Sequence, residues 1–269
     1  MNDPVLNSLS VCGVCASLAE AMGIEAPKEA HAPIPALTEL VKRRLGKADR
    51  VFMYNPDAVA MWLFQKYTAL YGPVMANSSL TLPLRTVMPS VTPVCFGSMY
   101  TGALPEVHGI RSYTKPVIRI DTLFDALIRA GKKPAIVSTE KDSLSLIFLE
   151  RDMDYFILPT VDECTEKALQ LIEEDRYDFI LLYNADYDST MHRNAPEGEL
   201  SLRVLEKNAR VYGRIADRIR ACWGSHDTLL GFAPDHGCHE IDGGCGSHGL
   251  DMPEDLNILH FYEVIPKKA

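Results

Sequence analysis

The sequence lacks any extended cluster of positive charge: 27 basic side chains stand against 36 acidic ones, and no Lys/Arg cluster is longer than "VKRR" at Val41 to Arg44. A nucleic-acid-coating surface is therefore not expected, and an anionic substrate must find its positive charge at a local site. Long apolar runs are missing too. The N-terminal stretch "MNDPVLNSLSVCGVCASLAEAMG" starts with an acid and carries no basic region, and its apolar run is too short and interrupted for a membrane span or a signal peptide. A cytoplasmic protein without a membrane partner is the expectation. Paired cysteines are a third absence, since seven is an odd number and argues against a disulfide framework. Cys12 and Cys15 form a C-x-x-C, but no second one completes a four-ligand zinc site, and at i,i+3 in a helical pattern they share a packing face. Cys238 and Cys245 likewise lack a partner pair.

What the 269 residues do contain is alternation. Residues 1–48 read as a helical extension, two helices that each end at a glycine and are separated by the Pro- and Ala-rich "EAPKEAHAPIP". From residue 49 to 269, strand-like runs ("RVFMYN", "KPAIVST", "DYFILP", "YDFILLYN", "TLLGFAP", "NILHFYEVI") alternate with helical patterns, the longest being "EGELSLRVLEKNARVYGRIADRIRACW". Strands apolar on both faces imply an α/β domain: a mostly parallel central sheet sandwiched by helices.

Acids and histidines follow three of these strands. "RVFMYNPD" leads into Asp57, "DFILLYNADYDSTMH" into Asp188 and His192, and "TLLGFAPDHG" into Asp235 and His236. The carboxyl ends of strands are where open α/β sheets bind ligands. An Asp and a His four residues apart share a face when the segment is helical, which suits two ligands of one metal. Taken alone, Asp57 reads as a helix N-cap and a single histidine as a satisfied core residue; the conjunction favours a site. Asp235 and His236 open a crowded stretch, "APDHGCHEIDGGCGSHGL", whose five glycines mark a loop. In "SVTPVCFGSMYTG", Thr92 ahead of Pro93 has the pattern of an N-cap, with Gly102 stopping the helix. A hydroxyl there can serve as a plain cap or as a nucleophile beside a bound phosphate.

From about residue 50 to 265 the chain resembles the alkaline phosphatase superfamily, in its nucleotide pyrophosphatase and type I phosphodiesterase branch. The resemblance rests on Asp57 after the first strand, Thr92 ahead of "TGALPEVHGI", "DSTMHRNAP" against a D-x-x-G-H-x-x-G-P pattern, and "DHG" then "SHG" in order. It implies that Asp188, His192 and His248 hold one metal, and that Asp57, Asp235 and His236 hold a second together with the Thr92 oxygen. It also implies an alkaline phosphatase-like fold. Met191 and Ala195 depart from the pattern by replacing its glycines, which should alter loop shape more than ligation. Cys95 stands three residues beyond Thr92, where the branch often has an asparagine. Nothing near Thr92 fits the C/S-x-P-x-R setting of sulfatases.

The expected function is hydrolysis of a phosphate ester, as a phosphodiesterase or phosphatase, through a phospho-threonine intermediate. Two divalent ions, zinc first and manganese second, against three aspartates leave the centre with about one net positive charge. The substrate would be a small organic phosphate or nucleotide. Alternatives are a phosphomutase or phosphonate hydrolase using the same centre, or a metal-binding protein without turnover. The extension before residue 49 is expected to serve packing, a lid or a homo-oligomer contact.

Overall fold

Apolar runs with no polar face have nowhere to go but the middle of a sheet covered on both sides. In the computed structural model, which describes residues 5–268, eight strands form one such sheet: Leu9–Ser10 (β1), Arg50–Pro56 (β2), Leu80–Arg85 (β3), Pro134–Thr139 (β4), Asp154–Leu158 (β5), Phe179–Asn184 (β6), Thr228–Phe232 (β7) and Asn257–Ile265 (β10). A separate hairpin is made by His239–Ile241 (β8) and Cys245–Ser247 (β9). The order across the large sheet is β1-β3-β10-β7-β2-β6-β4-β5. Strands β7, β2, β6, β4 and β5 run parallel, while β10 is antiparallel to both β7 and β3. Every residue of β6 and β7 is buried, and two apolar cores, one on each face of the sheet, account for the two-sided hydrophobicity of these runs.

Strand β2 lies between β6 and β7, which reach it from opposite wings of the sheet. The crevice beyond the carboxyl ends of these three strands is the switch point of the winding, where a ligand site is expected. The long helix Glu199–Cys222 covers one face with a buried stripe that includes Leu205, Tyr212, Ile215 and Ile219.

The structure departs from the sequence reading at three elements. The first helix runs only over Gly13–Ala21, because Leu9 and Ser10 pair with Leu84 and Arg85 as an edge strand; residues 1–4 of the expected extension lie outside the described part. Strand β3 was concealed by Pro83, which cannot donate to a ladder; it is accommodated because β1 pairs only with Leu84 and Arg85. The helix expected through "AVAMWLFQKYTAL" is broken into Met61–Lys66, a 3₁₀ turn Thr68–Tyr71 and a new turn at Gly72–Met75, where Pro73 fits a helix start.

The helix Thr92–Thr101 is wholly buried, and Gly102 ends it at φ +73, its N–H bonded to Ser98 O at 2.9 Å. Helix Gly13–Ala21 packs behind it. Cys12 and Cys15 are completely buried there, their sulfurs facing Ala103 O at 3.7 Å and Tyr100 O at 3.5 Å. Burial raises both thiol pKa values, and the pair is a packing feature. Among the described residues, no helix is long and apolar enough to cross a membrane.

Candidate active site

The ends of β2, β6 and β7, the start of the helix Thr92–Thr101 and the foot of the hairpin β8–β9 together bring the seven residues singled out in the sequence into one crevice. Asp57 follows Pro56 directly; its N–H is bonded to Asn184 O at 2.9 Å, and it caps no helix, since the next one has Ala60 as its N-cap. After β6 the chain turns into the helix Asp186–Asn194, whose i,i+4 spacing puts His192 Nε2 at 3.2 Å from Asp188 Oδ1. Asp235 and His236 follow β7, and His248 returns from the far end of the hairpin β8–β9.

The six acids and histidines fall into two groups of three, each with ligand atoms mutually within 4.8 Å. In the first, His192 Nε2 and His248 Nε2 lie 3.2 and 3.3 Å from Asp188 Oδ1 and 3.2 Å from each other. In the second, His236 Nε2 is 3.3 Å from Asp57 Oδ1 and 3.3 Å from Asp235 Oδ2. The groups adjoin, with the rings of His236 and His248 only 4.2 Å apart.

Each imidazole is held by its other nitrogen. Nδ1 of His192 meets Gly246 O at 2.8 Å, Nδ1 of His248 meets Ser90 O at 2.9 Å, and Nδ1 of His236 meets Gly237 O at 2.9 Å. A carbonyl accepts only, so the ring hydrogen belongs on Nδ1 in all three and the Nε2 lone pairs point at the carboxylates. The carboxylates are correspondingly unsatisfied: Asp188 Oδ1 and Asp235 Oδ2 are buried with no hydrogen-bond partner. A bare Nε2 facing a carboxylate oxygen at 3.2–3.3 Å is repelled, so either a proton or a metal ion belongs between them.

The electrostatics carry the same mark. Burial, then the charge of Asp188, pushes Asp57 up to about 7, although Tyr183 and Thr92 donate to it. Burial and the neighbouring Asp57 drive Asp235 well above the carboxylate range, and burial drives His236 down to about 3. Asp188 differs: burial opposes its charge, but His192 and His248 outweigh this and hold it below its ordinary value. Those histidines are raised in return, His192 chiefly by Asp188, and His248 against its own burial by Asp188 and Asp57.

Thr92 is buried against the second group, its Oγ1 donating to Asp57 Oδ2 at 3.1 Å and lying 3.4 Å from His236 Nε2. It is the first helical residue, with Val91 as the N-cap, and its hydroxyl makes no capping bond. That corrects the expectation of a capping threonine by one position. The helix start also offers fewer free donors than expected, because Pro93 has no N–H and the amides of Val94 and Cys95 both return to Val91 O at 3.0 Å. Cys95 is completely buried, its sulfur resting 3.8 and 3.9 Å from the carbonyls of Val87 and Pro89, so it does not face a substrate. Burial and then Asp235 push its pKa well up and keep it a neutral thiol.

One neighbour escaped the sequence reading. Tyr183 is a buried β6 residue whose hydroxyl donates to Asp57 Oδ2; inside an unbroken apolar run it has no distinguishing signal. A cavity of about 540 Å³ bordered by Arg119, Asp121, Asp125, Arg129, Glu150 and Arg151 contains none of the site residues, and each of its arginines is paired with an acid.

No family model matches the sequence, and comparison with curated proteins finds no match either. Solved structures do match in fold. An inactive variant of murine ectonucleotide pyrophosphatase/phosphodiesterase 5 in complex with AMP superposes with a TM-score of 0.58 at 16% identity, covering 72% of this chain and 59% of that one. The human ectonucleotide pyrophosphatase/phosphodiesterase 5 gives 0.58 at 15% identity, covering 72% and 58%. Phosphonoacetate hydrolase from Sinorhizobium meliloti, in complex with phosphonoformate, gives 0.54 at 17% identity, covering 74% and 59%. The chain therefore spans about three-fifths of the length of these structures. The likeness is one of fold, and it bears out the α/β, alkaline phosphatase-like architecture expected from the motifs.

Proposed function

We propose that the chain belongs to the alkaline phosphatase superfamily and hydrolyses small phosphate esters, as a phosphodiesterase or phosphatase, with two divalent ions and Thr92 as nucleophile. The observation that carries this is the orientation of three imidazoles: each commits its Nδ1–H to a carbonyl and aims Nε2 at an unsatisfied buried carboxylate, beside a threonine hydroxyl. The donor set fits two ions, since Asp188, His192 and His248 would hold one, and Asp57, Asp235, His236 and Thr92 Oγ1 the other. Equal numbers of carboxylates and imidazoles suit zinc, with manganese as the alternative. When bound, such ions supply Lewis-acid stabilisation of phosphoryl oxygens, a lowered hydroxyl pKa and charge compensation for the leaving oxygen.

The chain's own contribution is positioning. Thr92 Oγ1 is fixed at the crevice floor with its hydrogen directed at Asp57 Oδ2. Attack of that oxygen on phosphorus forms the Thr92 phosphoester as the ester P–O bond breaks and the leaving alcohol takes up a proton. Water then cleaves the phospho-threonine, releasing phosphate or a monoester and restoring the hydroxyl. Tyr183, donating to Asp57, holds that carboxylate's orientation. All seven site residues lie within residues 49–269, the catalytic unit, and the segment before it backs the Thr92 helix through Cys12 and Cys15. The seven cysteines are free, in keeping with a reducing, cytoplasmic compartment.

A phosphonate hydrolase is the second reading, favoured by the fold shared with phosphonoacetate hydrolase. The deciding experiment assays zinc- and manganese-reconstituted protein on p-nitrophenyl mono- and diesters, on a nucleotide ester and on phosphonoacetate, with acid quench during turnover. Ester hydrolysis with phosphate trapped on the Thr92 peptide is expected. Turnover of phosphonoacetate alone selects the second reading, and label on Ser90 or Ser98 removes Thr92 as nucleophile.

A further inference from the structure

The hairpin stretch from Gly237 to Ser247 separates His236 of one group from His248 of the other, so its two feet set where both imidazoles stand. A hairpin rich in glycine, turning at Gly243 and Gly244 with φ of +85 and +71, has little stiffness of its own. Its feet must be fixed from outside.

Both converge on one residue. Asp255 is completely buried, and its Oδ1 meets His239 Nδ1 at 2.7 Å while its Oδ2 accepts from Leu250 N at 2.8 Å. Its backbone oxygen accepts from Gly237 N at 2.8 Å, and a Cβ on Gly237 would stand 2.0 Å from the neighbouring Glu254 oxygen, so that foot is pressed against the same turn. A buried carboxylate used to join two strands of chain, with no basic side chain of Lys or Arg among its partners, is costly to keep unless the geometry it fixes matters.

We propose that Asp255 is a positioning residue for the metal centre: its side chain clamps His239 and Leu250, and thereby sets His248 for the group of Asp188 and His192. The inference rests on the two-ion function proposed above. The clamp is asymmetric. The Gly237 foot is held by the Asp255 backbone and survives any side-chain change, whereas at the Leu250 foot, two residues from His248, the carboxylate shares the holding with Ser90, whose Oγ accepts from Gly249 N at 3.1 Å and whose carbonyl meets His248 Nδ1 at 2.9 Å. An asparagine can accept from only one of the two, and its NH₂ keeps the other contact only where His239 moves its ring hydrogen to Nε2.

The test is titration of Asp255→Asn and wild type with zinc, and separately with manganese, under chelator competition, alongside hydrogen exchange of the metal-free proteins. In Asp255→Asn the site of Asp188, His192 and His248 is expected to lose about 10–100-fold in affinity, as outer partners of metal ligands do, while the site of Asp57, Asp235 and His236 changes less than about threefold. Amides 245–250 should exchange faster, with the central strands still protected. If that variant does not fold, His239→Ala, which removes one clamp contact only, should give a smaller loss confined to the same site. Two wild-type affinities in either folded variant overturn the proposal, as does equal weakening of both sites in step with lost thermal stability. A wild type that binds fewer than two ions overturns the two-ion function and this inference together, whereas normal wild-type binding with an unaffected variant overturns the inference alone.

Discussion

The two acid–histidine groups invert each other's composition, two aspartates and one histidine against one aspartate and two histidines, and one is sealed where the other is open. Side-chain exposure is 1, 0 and 0% for Asp57, Asp235 and His236, but 18, 39 and 8% for Asp188, His192 and His248. The sealed group sits on the ends of the two central strands β2 and β7, and the open one on a nine-residue helix and a hairpin foot. Burial makes its carboxylates hard to ionise, whereas in the open group the histidines hold Asp188 charged. The two sets of side chains thus form a water-poor half next to Thr92 and a more accessible half, through which metal and substrate would arrive under the proposed function.

The largest effect expected is at the sealed half. Thr92→Ala should lower turnover by roughly 10³-fold or more, with Thr92→Ser retaining measurable activity. Thermal stability should fall only by the loss of the bond to Asp57 Oδ2, about 1–2 kcal/mol, since the hydroxyl caps no helix. A steady-state assay paired with thermal melts checks this, and a melt that drops in parallel with activity would assign Thr92 a structural role.

At the open half, His192→Ala should weaken one metal site by at least about 100-fold and leave the metal-free fold within about 1 kcal/mol of wild type, because the side chain is only partly buried, 39% of it exposed. Metal content after dialysis together with denaturant melts gives both numbers. Equal loss of both ions would erase the distinction between halves.

Replacing an acid tests the electrostatic contrast. Asp57 has a folded-state pKa of about 7, above its ordinary value, so its favourable contribution is complete below about pH 4 and is lost as pH rises towards 7. Asp57→Asn should therefore stabilise chelated protein at pH 8 by on the order of 2 kcal/mol and give no such gain at pH 4. Asp188, held low, contributes stability above the ordinary carboxylate pKa, so Asp188→Asn should destabilise the chelated protein at neutral pH. Melts across pH that gave the two variants the same sign would refute the contrast.

The smallest effect lies where the open group's helix ends. Ala195 has φ +58 and ψ 158, backbone that glycine adopts without strain, and Ser201 Oγ and Gly198 N bind its carbonyl. Ala195→Gly should stabilise by about 1 kcal/mol, read from a shift in denaturant midpoint.

The sealed half was the more legible in sequence. Asp57, Asp235 and His236 follow apolar runs that could only be inner strands, and the Asp188–His192 spacing needed only a helical turn to become a pair. What stayed hidden depends on contacts that periodicity does not encode. Tyr183 reads as one more apolar strand residue, Pro83 disguises an edge strand, and Asp255 sits in "DMPEDL", which looks like solvated acids until the hairpin folds over it. The glycine pattern pointed to Ala195 as a departure, and the structure supplies the reason: its backbone is left-handed in φ.

The most direct test of the two-ion centre is elemental analysis of protein reconstituted with zinc and freed of excess, followed in time after chelator is added. Two equivalents per chain are expected, the ion at the open group leaving before the one at the sealed group. One equivalent or fewer would contradict the account.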